Sequence, residues 1–104
     1  MESTPKKQTF SELIQGDTPV LVDFFATWCG PCQAMTPVIN QLKEEVGDQA
    51  HIIKVDVDKN PQASMAYGIQ GVPTFMVFKQ GEVVWRQSGM QSGSALKQII
   101  LENQ

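Results

Sequence analysis

The feature that most constrains this chain is the run Val20-Leu21-Val22-Asp23-Phe24-Phe25-Ala26, apolar at every position but one and rich in Val and Phe. A strand with one wet face alternates apolar and polar residues. This run does not alternate, so it reads as a strand covered on both sides. Such a strand needs helices on each face of its sheet, and the flanking segments supply them. From Pro31 onward Met35, Val38, Ile39, Leu42 and Val46 make a helical stripe ending near Gly47, and Pro37 inside it predicts a kink. Ile52 to Val57 reads as the next strand, and Asn60-Pro61 as the cap and first position of a short helix. Thr74 to Lys79 and Val83 to Gln87 read as two strands joined at Gln80-Gly81. Upstream, Thr9-Phe10-Ser11-Glu12 has the capping-box form of a helix start, with Phe10, Leu13 and Ile14 on its apolar face and Gly16 as its stop. Ser92 or Ser94 caps a last helix that buries Leu96, Ile99 and Ile100. Strand–helix–strand implies parallel pairing through a crossover, and the hairpin adds antiparallel strands. The fold class is therefore α/β, a mixed sheet with helices on its faces.

A length of 104 residues predicts one domain, 1–104, and 41% hydrophobic residues suffice for a core. The net charge of −3, without a basic stripe, argues against nucleic acid as a partner. No apolar run approaches the roughly 18 residues that would span a bilayer. Met1 to Thr9 lacks the apolar core of a signal peptide, so the start reads as that of a cytoplasmic protein.

The only cysteines, Cys29 and Cys32, frame Gly30-Pro31 between the buried strand and the long helix. Side chains three apart on a helix lie about 5–6 Å from each other, close to what a disulfide bridges. Open and closed forms thus fit one backbone. As a staple so small a ring contributes only on the order of 2 kcal/mol, so the spacing suits a reversible switch better than a brace. Unpaired N–H groups and the partial positive charge at the helix start favour a thiolate at Cys29, the expected nucleophile. Pro31 has no N–H to waste there. Cys32, a turn further in, is expected to be less exposed and to act as the resolving thiol. A zinc site is the main alternative, but zinc takes four ligands and the chain offers two Cys and His51, which reads as a surface residue. No metal and no bound cofactor are expected.

The pentapeptide Trp28-Cys29-Gly30-Pro31-Cys32 resembles the active-site signature of the thioredoxin family. The likeness extends to Val22-Asp23-Phe24-Phe25-Ala26, Pro37, Lys54-Val55-Asp56, Asn60-Pro61, Gly68-Ile69, Gly71-Val72-Pro73-Thr74, Phe78-Lys79, Gly81 and Gly89, roughly residues 8 to 102. It implies a central mixed five-stranded sheet flanked by four helices, the extra short strand falling weakly on Pro5 to Gln8. It also implies two-electron reduction of protein disulfides, with recharging by a thioredoxin reductase that draws on NADPH, and a monomer. The resemblance further places Lys54 near Asp23, and Val72-Pro73 as a cis-proline segment facing the cysteines. There its backbone pairs with an extended substrate. Trp28, Gly30, Pro31, Val72, Pro73, Thr74, Gly89 and Met90 would then form a mostly apolar docking surface.

Asp23 is a charge in an apolar strand, where burial raises its pKa and fits it to take the proton of Cys32; a solvent-facing edge position is the plainer alternative. Lys54, in a predicted strand, could equally face solvent, and Pro73 could simply open a strand. Glu44-Glu45 and the pair Asp56, Asp58 read as solvated, and Trp85 as core or sheet-face packing. Three residues depart from the family pattern. Phe25 stands where many members carry Trp, Gln33 replaces a common Lys or Arg, and Met90 a smaller residue. Two rival functions share the fold: a thiol oxidase or isomerase, which Gly30-Pro31 opposes, and a non-enzymatic binding subunit.

Overall fold

In the structure, a computed structural model describing residues 9–104, the apolar run forms β1 (Val20–Phe25) at the inside of a four-stranded sheet ordered β2-β1-β3-β4. β2 (His51–Asp56) runs parallel to β1, with Val20 opposite His51 and Asp23 opposite Lys54. β3 (Thr74–Lys79) lies antiparallel on the other side of β1, and β4 (Glu82–Ser88) completes the sheet at its edge. Alternation along β1 explains its composition. Val20, Val22 and Phe24 point to one face, where they pack with Met76, Phe78 and Ile14. Leu21 points to the other, joining Phe75, Val77, Ile39, Leu42, Leu96 and Ile100. Both faces are covered, so no polar alternation is needed.

Helix α1 (Phe10–Ile14) starts at a complete capping box: Glu12 N–H donates to Thr9 Oγ1 at 3.2 Å, and Thr9 N–H to Glu12 Oε1 at 2.9 Å. Phe10 then meets Phe78 and Tyr67 edge-on, at 5.7 and 6.0 Å between ring centroids. The stripe after the cysteines forms α2 (Gly30–Ala34) and α3 (Thr36–Val46), followed by a 3₁₀ turn at Gly47–Gln49. The interruption falls at Met35, not at Pro37 where the sequence placed the kink. Pro37 has no N–H for the carbonyl four residues back, so the ladder fails one turn earlier. Met35 keeps helical angles, and its carbonyl still accepts from Ile39 N–H at 2.9 Å. α4 (Pro61–Ala66) begins with proline as expected, and α5 (Gly93–Glu102) is capped by Ser92, whose Oγ accepts from Ala95 N–H at 3.1 Å.

The β3–β4 turn puts Gln80 at φ 53° and Gly81 at φ 83°, the positive-φ pair of a hairpin whose twist matches its strands. Its backbone docks on the end of α1, Gly81 N–H reaching the Ile14 carbonyl at 2.7 Å and Gln80 N–H the Gly16 carbonyl at 3.0 Å. A bulge follows: Val77 faces Trp85 but Phe78 faces Val83, leaving Val84 unpaired. Among the described residues there are four strands and five α-helices, where five strands and four helices were expected. The long helix is divided, and the segment assigned to the extra strand, Pro5 to Gln8, lies outside the described residues.

Candidate active site

The chain leaves the sheet at the end of β1 through Ala26–Trp28, a turn closed by Cys29 N–H on the Ala26 carbonyl at 3.2 Å. Gln33 Nε2 braces it on the Thr27 carbonyl at 2.9 Å. Cys29 is the N-cap of α2. Its Sγ accepts the Cys32 N–H at 3.1 Å, so the sulfur itself satisfies one of the helix's spare donors. Pro31 sits in the first turn of the helix, where its missing N–H costs nothing.

The two sulfurs are joined, with Cα atoms 5.3 Å apart, inside the range expected from the spacing. Burial does not rank them. Cys29 is 4% exposed and Cys32 3%, so the expected difference in exposure is absent in this closed form. What separates them is their surroundings. Cys29 Sγ lies 3.7 Å from the Val72 carbonyl oxygen, against the loop before β3. Cys32 lines a pocket of about 240 Å3 together with Phe25, Thr27, Gln33, Thr36 and Lys54.

Asp23 shares the Leu21 face of β1 and is 1% exposed, with no hydrogen-bond partner for Oδ1. The solvent-facing alternative is excluded. Burial raises its pKa from 3.8 to about 6, and the positive charge of Lys54, its register neighbour on β2, holds it from rising further. Lys54 is solvent-exposed, and its Nζ stands 4.5 Å over the Phe25 ring. Phe25 thus serves as the seat of the cation that faces Asp23.

The Val72–Pro73 peptide is cis. Gly89 N–H donates to the Pro73 carbonyl at 2.8 Å, which brings the end of β4 and Met90 beside this loop. Trp28 at 71% and Met90 at 54% exposed give the surface its large apolar side chains, with Gly30, Pro31 and Gly89 also exposed and Val72 half-buried. Pro73 is buried. Thr74 does not belong to the surface: it is fully buried, and its hydroxyl turns inward to donate to the Gly71 carbonyl at 2.6 Å.

The acidic pair Asp56 and Asp58, at and just beyond the end of β2, is not merely solvated. Asp56 is buried, and its Oδ1 accepts from Asp58 N–H at 2.9 Å and Lys59 N–H at 3.3 Å. The turn so formed presents Asp58, whose Oδ2 accepts the Trp28 indole N–H at 2.9 Å. Sequence reasoning missed Asp58; the available signal was the Asp-x-Asp spacing after a strand, the form of an Asx turn. Trp85 packs half-buried against the core, and His51 is exposed. Among the described residues no group of three or more His, Cys, Asp or Glu side chains is placed to hold a metal, and no helix is long and apolar enough to cross a membrane.

A disulfide closed across a single helical turn, its first cysteine capping a helix at the end of a central strand, is the site of a dithiol–disulfide oxidoreductase. The thioredoxin family model matches residues 2–102. A thioredoxin-like protein of Synechocystis is 46% identical over 98 residues, covering 91% of this chain and 93% of its own. The thioredoxin of Rickettsia conorii is 41% identical over 96 residues, with 92% and 88% covered. A solved mutant thioredoxin from Halobacterium salinarum superposes with a TM-score of 0.81 at 41% identity, covering 89% of this chain and 80% of that one. The chain belongs to the thioredoxin family, and its function is thiol–disulfide redox exchange.

Proposed function

We propose that this chain is a single-domain, monomeric protein-disulfide reductase of the cytoplasm, in which Cys29 attacks and Cys32 resolves. The Cys29 thiolate adds to one sulfur of a substrate disulfide, and the other substrate sulfur leaves as a thiolate. Asp23, ionised at neutral pH, takes the proton of Cys32, directly or through water in the adjoining pocket. The Cys32 sulfur then displaces the second substrate thiol from Cys29. Two electrons have passed to the substrate and Cys29–Cys32 is closed. A thioredoxin reductase drawing on NADPH reopens it, with no metal or cofactor held by this chain.

The observation that carries this reading is Cys29 Sγ at the helix cap, accepting the Cys32 N–H while lying against the Val72 carbonyl. A donor at 3.1 Å stabilises negative charge on that sulfur in preference to the other. Lys54 supports the proton transfer through its charge on Asp23. Trp28, Gly30, Pro31, Val72, Pro73, Gly89 and Met90 receive the substrate, Pro73 through its backbone, and Thr74 holds the loop from beneath.

The test is Cys32→Ser. With Cys29 reduced, this variant is expected to accumulate a covalent mixed disulfide with a disulfide-bonded protein, visible by non-reducing electrophoresis and mass spectrometry. Full turnover with reductase and NADPH in the variant would refute the assignment of Cys32.

A further inference from the structure

Arg86 and Ser88 stand two apart on β4 and so share one side of the edge strand. The Arg86 guanidinium reaches the end of α4, where Nη1 donates to the Tyr67 carbonyl and Nη2 to the Gly68 carbonyl at 2.9 Å. Tyr67 is the C-cap of that helix, and Gly68 follows at φ 61°. The Tyr67 carbonyl lies at the partially negative end of the helix and the Gly68 carbonyl just beyond it; a planar guanidinium holds both in one fixed fork, where an ammonium is a point charge on a flexible stem. α4 has six residues, none fully buried; the Tyr67 ring packs against Phe10, Phe24 and Phe78, while the backbone carbonyls of Tyr67 and Gly68 are held by Arg86.

Ser88 grips the other end of the same connection. Its Oγ lies 3.2 Å from Thr74 Oγ1, whose single proton is already given to the Gly71 carbonyl, so Ser88 is the donor between them. The connection from Tyr67 to Thr74 is thus fastened at both ends to one strand, and between those points it carries Val72 against Cys29 Sγ.

We propose that Arg86 is a positioning residue for protein substrates. By holding Tyr67 and Gly68 it sets where Val72 and Pro73 present their backbone to an incoming chain, and so governs affinity for folded disulfide proteins while leaving the sulfur chemistry alone. The inference rests on the reading of Val72–Pro73 as the docking segment.

The test compares Arg86→Gln, Arg86→Lys and Val72→Asp in the full-length protein. Steady-state reduction of a disulfide-bonded protein with saturating reductase and NADPH gives KM and kcat. The pre-reduced variants are also reacted with a small aromatic disulfide, which needs no docked chain. Arg86→Gln is expected to raise KM about three- to tenfold with kcat and the small-disulfide rate unchanged, and Arg86→Lys to restore part of the loss. An unaltered KM, or a proportional fall in kcat and the small-disulfide rate, overturns the role of Arg86. If Val72→Asp raises KM while Arg86→Gln does not, only Arg86 falls. If Val72→Asp also leaves KM unchanged, the docking reading fails and takes this inference with it.

Discussion

Replacing Asp23 by Asn tests whether a buried carboxylate is held at a cost for use in the reaction. In the folded protein the group titrates near 6, and its ordinary value is 3.8. Between those two values the folded form keeps a proton that the unfolded chain has lost, so stability falls as pH rises through that window. The gap is worth roughly 3 kcal/mol in all, present below pH 3.8 and gone above about 6. Of this, about 2 kcal/mol is lost between about pH 4.5 and pH 8. Asn does not titrate. Whatever its amide gains or loses at a site where Oδ1 has no partner, that amount is the same at every pH. The difference in unfolding free energy, variant minus wild type, is therefore expected to rise by about 2 kcal/mol across that range. Urea denaturation of the oxidised proteins at several pH values measures it. The same variant is expected to slow reduction of a protein disulfide near neutral pH by about tenfold or more, through loss of the base for Cys32. Parallel stability curves would show that Asp23 does not titrate as its burial demands. Equal rates would remove it from the mechanism.

The remaining predictions concern its neighbour and the core. Lys54→Met removes the charge that restrains Asp23, so the carboxyl is expected to titrate at higher pH than in the wild type, read from the side-chain carboxyl carbon by NMR. A titration midpoint that stays or falls would contradict the pairing. Leu96→Ala empties a fully buried position between α5 and the sheet, and is expected to cost about 2–5 kcal/mol in denaturant unfolding while leaving the Cys29–Cys32 equilibrium with glutathione unchanged.

What the sequence disclosed was mostly what neighbours in the chain decide. The capping box at Thr9, the Ser92 cap, the Gln80-Gly81 turn and the unalternating strand each depend on residues within a few positions of one another. The pair Asp23 and Lys54 was half-legible: a charge in an apolar strand announces burial, but only the register of β1 and β2 shows which cation faces it. The partners of Asp58 and Arg86 were illegible for the opposite reason, although the Asp-x-Asp spacing did mark the turn that carries Asp58. Each residue looks like an ordinary surface charge, and each acquires its partner, the Trp28 indole or the end of α4, only when distant segments meet. Thr74 misled because adjacency to Pro73 suggested exposure, whereas β3 is covered on both faces from its first residue. The helix division fell at Met35 because the bond Pro37 cannot give to the Gln33 carbonyl spans that residue, so the gap opens before the ring and not at it.

The order of strands has a mechanical consequence. β1 is laddered on both sides, and it is from its tip that the reactive loop emerges. Central strands are the last part of a domain to open, while edges such as β4 fray first. The sulfur–sulfur bond is therefore anchored at the stiffest point of the molecule, and the loop it faces enters the interior strand β3 on one side while being tied on the other to the edge strand β4. Making and breaking that bond need not disturb the foundation, and accommodation of differently shaped clients falls to the tie with the edge strand.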